Sequence, residues 1–217
     1  MALTFGNTKG KAIKNSHKTY QYKDGENTVR IVGGILPRYM YWLKGTKNKD
    51  IPIECLAFDR ELEKFTNAEL DHVQDYFPDA KCQWSYTCNA LVTTDGKPEV
   101  VVLNLKKKLF EQILTAAEDL GSDPTDPDNG WDIVFKRVKT GPAAFNVEYT
   151  LNVLRCKKRA LTEDERAVIL TSPTIDEKFI RQTPEEIKTF LEKLKNAGSN
   201  ESEESSDVDK EAVNELG

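Results

Sequence analysis

Rings and cations stand side by side along this chain, and that pairing has a definite chemistry: bases stack on aromatic faces while nearby lysines neutralise phosphates. Three stretches carry it. Tyr39, Tyr41 and Trp42 place three rings within four positions, with Arg38 before them and Lys44, Lys47 and Lys49 after. Trp84 and Tyr86 alternate along a second stretch, which runs through a hairpin into Lys106, Lys107 and Lys108. Lys136, Arg137 and Lys139 close a third, followed by Phe145, Tyr149 and Arg155. A core strand of a small β-domain also claims rings. Alternate residues of a strand face opposite ways, so one stretch can serve both uses.

Other chemistries find little support. Four cysteines (Cys55, Cys82, Cys88, Cys156) and two histidines (His17, His72) are too scattered for a metal set, and no C-x-x-C occurs. They read as ordinary thiols in a reducing compartment. There is no paired-carboxylate metal spacing, phosphate-binding glycine loop or nucleophile motif, so no enzyme, metal or cofactor is expected. No apolar run approaches the ~20 residues that cross a bilayer. The N-terminal stretch lacks the apolar core of a secretory signal, and a cytosolic protein is expected.

The net charge of −5 conceals a division. Residues 1–160 hold 24 Lys/Arg against 21 Asp/Glu, whereas residues 198–217 hold one against seven. A basic arm over 1–18, a body over 19–160, a helical segment over 161–197 and a disordered acidic tail over 198–217 are the expected parts.

The elements that must position these residues follow from periodicity. Thr19–Lys23, a turn at Asp24-Gly25 and Val29–Val32 read as a hairpin closed by Gly33-Gly34. Strands are expected at Tyr39–Leu43 and Ile51–Phe58. Asp59–Phe77 reads as helical, with Thr66-x-x-Glu69 as a capping box, Leu70, Val73 and Phe77 as its apolar face, and His72 toward solvent. The central unit, Lys81–Ile113, holds the Trp84/Tyr86 strand, a tight turn at Asp95-Gly96 and the aliphatic strand Glu99–Leu105. A helix follows from about Leu105 to Leu120, with Leu109, Phe110, Ile113, Leu114 and Ala117 on its apolar face. Cations in its first turn oppose the helix dipole, which an anionic partner would reverse. After an acidic Pro/Gly loop (121–130) come a strand over 131–139 and a cleanly alternating one from Phe145. Thr162-x-x-Glu165 and Thr183-Pro184-x-Glu186 open later helices, the second with Ile187, Phe190, Leu191 and Leu194 on its apolar face. About seven strands with inserted helices fit a small β-barrel of the OB type followed by short C-terminal helices, and OB folds commonly bind single strands.

Asn27–Ile31, Ser85–Val92 (SYTCNALV), Leu105–Ile113 (LKKKLFEQI) and Gly130–Lys139 with the Phe145 strand resemble the single-stranded-DNA-binding proteins of T4-like and related phages. The resemblance is spread over roughly 19–155. It implies that Tyr86 matches a tyrosine of the family's DNA-contacting strand and that Lys107 and Lys108 match its paired basic residues. Phe145 and Tyr149 lie near the family's late aromatics. It departs at the family's His/Cys zinc subdomain, whose place here is taken by Asp59–Phe77 with no ligand set, leaving apolar packing of Leu70, Val73 and Phe77 to rigidify it. The arm carries no match to the family's cooperativity determinant.

The expectation is a non-enzymatic protein that coats and protects single strands in phage replication, recombination and repair, in the cytoplasm of the infected host. Its contacts come from the residues above, and the acidic tail competes for the empty groove until binding frees it for replication and recombination proteins. The protein is expected as a monomer in isolation that can assemble cooperatively on DNA. A non-enzymatic interaction scaffold and a binder of RNA or duplex DNA are the alternatives.

Overall fold

The structure, a computed structural model, describes residues 17–45, 50–143 and 146–196. Its organising element is one long strand, β1 (Gly25–Lys44). The sequence pattern predicts two strands there, separated by Gly33-Gly34. Gly33 instead adopts φ +74, which lets the chain bend and continue in the sheet rather than turn away. Among the described residues seven further strands follow in chain order: β2 (Asp50–Glu54), β3 (Phe58–Asp59), β4 (Lys64–Phe65), β5 (Gln83–Thr94), β6 (Lys97–Leu105), β7 (Ile133–Lys139) and β8 (Val147–Leu151). The main sheet runs β6-β5-β1-β7-β8, with β2 also on β1, while β3 and β4 form a separate hairpin. The fold is thus mainly β, with its mapped pairs β1–β2, β1–β7 and β7–β8 antiparallel.

Contacts divide the chain into two compact units. Of the described residues, the first takes those up to Gly33, Asn89–Leu103 and Ser122–Lys178; the second takes Gly34–Cys88, Asn104–Gly121 and those from Phe179 on. The helical segment expected as one stretch over 161–197 is therefore shared between them.

In the first unit, Asp95 (φ 51) and Gly96 (φ 77) make the expected tight turn between β5 and β6. The acidic loop 121–130 is shaped by Arg30, 1% exposed, whose guanidinium donates to the Asp126 carbonyl at 2.6 Å and the Arg159 carbonyl at 3.3 Å. Gly130 allows this approach, since a Cβ there would lie 2.6 Å from that guanidinium and 2.4 Å from the Asp126 carbonyl. Trp131 is fully buried beside it, donating from Nε1 to the Ser122 carbonyl. Helix α3 (Glu163–Thr171) begins with the expected Thr162/Glu165 capping box. Glu165 also accepts from Arg159 at 2.7 and 2.9 Å, and Arg159 reaches on to Asp132. A short helix, α4 (Ile175–Lys178), follows.

In the second unit, the expected helix over 59–77 is not formed. Asp59 Oδ1 accepts from the amides of Glu61 and Leu62, and Glu63 and Asn67 take left-handed φ values of 49 and 53. These local bonds divert the backbone into the β3–β4 hairpin. Thr66 Oγ1 meets the Ala68 amide instead of closing a box with Glu69. Only α1 (Val73–Tyr76) is helical, and Leu70 is exposed. His72 is partly covered and faces Asp75 at 3.0 Å. The bracing of this region rests on Val73, with Phe77 packed against the same core, and on a polar group: the Asp71 carboxylate accepts from the Tyr41 hydroxyl (3.1 Å), the Cys55 thiol (3.0 Å) and the Val73 amide (3.1 Å). Burial pushes the Cys55 thiol up to about 12, with Asp71 adding to it.

Helix α2 (Lys107–Leu120) buries Leu109, Ile113 and Ala116, leaves Leu114 exposed, and ends at left-handed Gly121. The last helix, α5 (184–196), opens on the expected Thr183/Glu186 box. It packs Ile187 and Leu191 against Tyr41, Leu43, Ile53, Cys55, Leu56 and Val73, while Phe190 faces outward.

Candidate nucleic-acid interface

The second unit gathers rings from β5, α2, β1 and the β3–β4 hairpin. On β5, Trp84 and Tyr86 lie two residues apart and so project to one side. They stack with centroids 4.3 Å apart and planes 18° from parallel. Phe110 of α2 closes on both, 5.8 Å from Trp84 and 5.3 Å from Tyr86. Tyr39 of β1 packs in turn on Phe58 and Phe65 of the β3–β4 hairpin, each at 4.8 Å. Burial pushes the Tyr86 phenol up to about 12, with Glu63 and then Tyr39 near enough to add to the shift. Trp84 and Tyr39 are half-buried; Tyr86 is 9% exposed and supports the stack more than it offers a face.

Lys106, Lys107 and Lys108 are all exposed where α2 begins. Lys106 occupies the capping position in extended conformation and makes no side-chain cap, so the first-turn amides are left uncapped by it at the same helix end as three cations. Helix starts with that charge hold anions well. Phe110 stands on the same helix two residues after the last of these lysines.

Besides Tyr86, two expected contacts are not surface groups. Arg38 is 6% exposed, donates to Thr87 Oγ1 at 2.9 Å and lies 4.2 Å over the Phe179 ring. Desolvation lowers its pKa to about 10. Tyr41 is 3% exposed and belongs to the core with Asp71 and Cys55. Both assignments to a groove are corrected by the alternation of β1: Tyr41 points with Leu43 into the core, and Arg38 points the other way into a covered polar contact. Trp42 is 51% exposed on the side opposite Tyr41, beside the exposed Lys44–Asp50 pair at 2.6 Å. It is a ring apart from the Trp84 stack.

The first unit holds a second aromatic group. Tyr22 touches Tyr20 (5.3 Å), Tyr149 (5.2 Å) and Phe135 (5.8 Å), and the register places Tyr149 opposite Arg137. Tyr20 donates to Asn27, whose amide holds the Lys23 and Gly25 carbonyls. Lys136 and Lys139 are exposed, but Arg137 is paired with Asp24 and Arg155 with Glu26. Lys47 and Phe145 lie outside the described residues.

Phe110, Phe65 and Tyr22 escaped the sequence reading as contacts. Phe110 reads in the sequence as a core position of an amphipathic helix, which hides its outer edge; Phe65 falls in the helical pattern over 59–77, and that helix does not form. Among the described residues no three His, Cys, Asp or Glu are grouped to hold a metal ion, and no helix is long and apolar enough to cross a membrane.

Over 75 residues the chain is 37% identical to a protein of Escherichia phage T5 named "Probable ssDNA-binding protein". The match takes in 35% of this chain and 29% of that protein, so the chain spans less than a third of the relative's length. No family model matches the chain.

Proposed function

We propose that this chain binds single-stranded DNA without marked sequence preference, as a non-enzymatic coat of the strand. The observation that carries the reading is the Trp84–Tyr86 stack, closed by Phe110 beside three exposed lysines at the start of α2. A π-face accepts any base, and backbone charge is neutralised without regard to sequence. The name of the phage T5 relative supports the same partner.

On this reading Trp84, Tyr39 and Phe110 supply stacking contacts worth ~1–3 kcal/mol per base, and Tyr86 keeps Trp84 in place. Lys106, Lys107 and Lys108 take the phosphates. Trp42 adds a ring in the same unit, and Tyr149, Lys136 and Lys139 form a separate set of contacts in the first unit. The mainly β architecture serves as an OB-type barrel, and the protein works in phage replication, recombination and repair inside the infected cell, in the manner of the T4-like family but without its zinc subdomain. The tail, with seven acids in residues 198–217, competes with the strand for the lysines and is released to protein partners on binding.

A single competition experiment tests this: a labelled oligo(dT) challenged with unlabelled single-stranded DNA, RNA and duplex of equal length at low salt. Single-stranded DNA is expected to displace the label at the lowest concentration. Preference for duplex or RNA overturns the assignment of partner, and no binding to any of the three favours a purely protein-binding scaffold.

A further inference from the structure

The β3–β4 hairpin has features that packing alone does not require. It is held by two register pairs, Phe58↔Phe65 and Asp59↔Lys64, and by the Thr66 and Asn67 amides on the Ala57 carbonyl. Glu63 immediately before its second strand and Asn67 two residues after it are both non-glycine residues in the left-handed region, where a Cβ is disfavoured. Phe65 packs one edge on Tyr39 and Phe58 yet is 51% exposed, so half of a large ring is left in water beside the aromatic platform. Glu63 brings an exposed carboxylate to the same platform, near the Tyr86 hydroxyl. A carboxylate there opposes any phosphodiester that approaches the rings.

We propose that the β3–β4 hairpin is a working part of the strand-binding surface, with Phe65 as its outermost stacking ring and Glu63 as a negative charge that the nucleic acid must displace from the platform. This rests on the single-stranded-DNA reading and extends the surface beyond β5 and α2. The two residues act with opposite signs. Phe65 adds a π-face for one more base, continuing the line from Tyr39. Glu63 weakens binding, so the bound strand exchanges more readily than the rings and lysines alone would permit.

The test uses the full chain and anisotropy titration of a labelled oligo(dT). Phe65→Leu keeps apolar volume against Tyr39 and Phe58 but removes the ring, and about a tenfold loss of affinity is expected, equivalent to about 1.4 kcal/mol. Phe65→Trp, which retains a ring, is expected to bind at least as well as the parent. Glu63→Gln is expected to bind about threefold to fivefold tighter, consistent with one like charge removed in a largely aqueous setting. Leu62→Ala, at the tip of the same hairpin, serves as the control and should remain within about twofold. Urea melts of each variant separate loss of contact from loss of fold. Parent binding combined with an unchanged Phe65→Leu affinity, or with weaker binding by Glu63→Gln, overturns this inference and leaves the broader reading intact. Absence of binding by the parent overturns both.

Discussion

Replacing Lys107 and Lys108 by Gln separates cations that meet solvent from cations already held by carboxylates. Each phosphate neutralised on a single strand contributes about −0.7 to the slope of log affinity against log salt. Two lysines therefore account for about 1.4 of that slope. Between about 50 and 200 mM salt the parent should lose roughly sevenfold more affinity than the double variant. The companion variant, Arg137→Gln with Arg155→Gln, removes two charges of the same sign, but these are paired with Asp24 and Glu26. When a phosphate takes over either arginine, the abandoned carboxylate recruits a counterion, so net release is close to zero and the slope should hardly move. Stability supplies an independent readout. Lys107 and Lys108 stand in the first turn of α2, where the helix dipole opposes each by about 0.3–1 kcal/mol at low ionic strength. The lysine double variant should thus be slightly more resistant to urea while binding more weakly. Salt titrations of oligo(dT) affinity, with urea melts alongside, measure both quantities. If the arginine variant flattens the slope as much as the lysine variant, the idea that internal pairs silence those charges is wrong.

Three further outcomes are expected. Of the three tryptophans, Trp131 is fully buried and Trp42 lies apart from the stack, so Trp84→Phe should remove most of the fluorescence quenching caused by oligonucleotide; persistence of the quench in that variant would move the platform to Trp42. Leu191 is 0% exposed in the core beneath β1 and β2, and Leu191→Ala should cost about 2–5 kcal/mol in urea unfolding, whereas Leu170→Ala, 86% exposed, should stay within about 0.5 kcal/mol. The Arg159 hydrogen bonds hold the Glu165 carboxyl below its usual range, despite partial burial. Its folded value is depressed, so its contribution is present above the ordinary carboxylate pKa of about 4.3 and is lost as pH falls through the lowered value. Glu165→Gln should accordingly show a shallower acid-side loss of stability than the parent, and identical acid limbs would dismiss that ion pair as a source of acid sensitivity.

Much of the molecule was legible one residue at a time. The Asp95-Gly96 turn, the two Thr/Glu capping boxes, the alternation of β8 and the lysines at the head of α2 depend on bonds between neighbours a few positions apart. Local chemistry decides such features, and it is written in the order of the residues. The same locality misled over 59–77, where an apolar period of helical spacing lost to Asp59, Glu63 and Asn67, whose side-chain bonds and left-handed backbone favour a hairpin.

Tertiary structure alone decided which rings stay open to solvent. Tyr39 and Tyr41 are the same residue type two positions apart, and alternation gives both the same side of β1. What separates them is the company each finds. Tyr41 meets Asp71, Cys55 and α5, and disappears into the core. Tyr39 meets Phe58 and Phe65 of a hairpin and stays half open. Arg38, strongly basic and next to those rings, is drawn inward by Thr87 and Phe179, far along the chain. The sequence determined that this chain would pair aromatic strands with lysines. Which of them reach the surface depends on partners distant in sequence, because burial is a property of what packs on a residue and not of the residue itself.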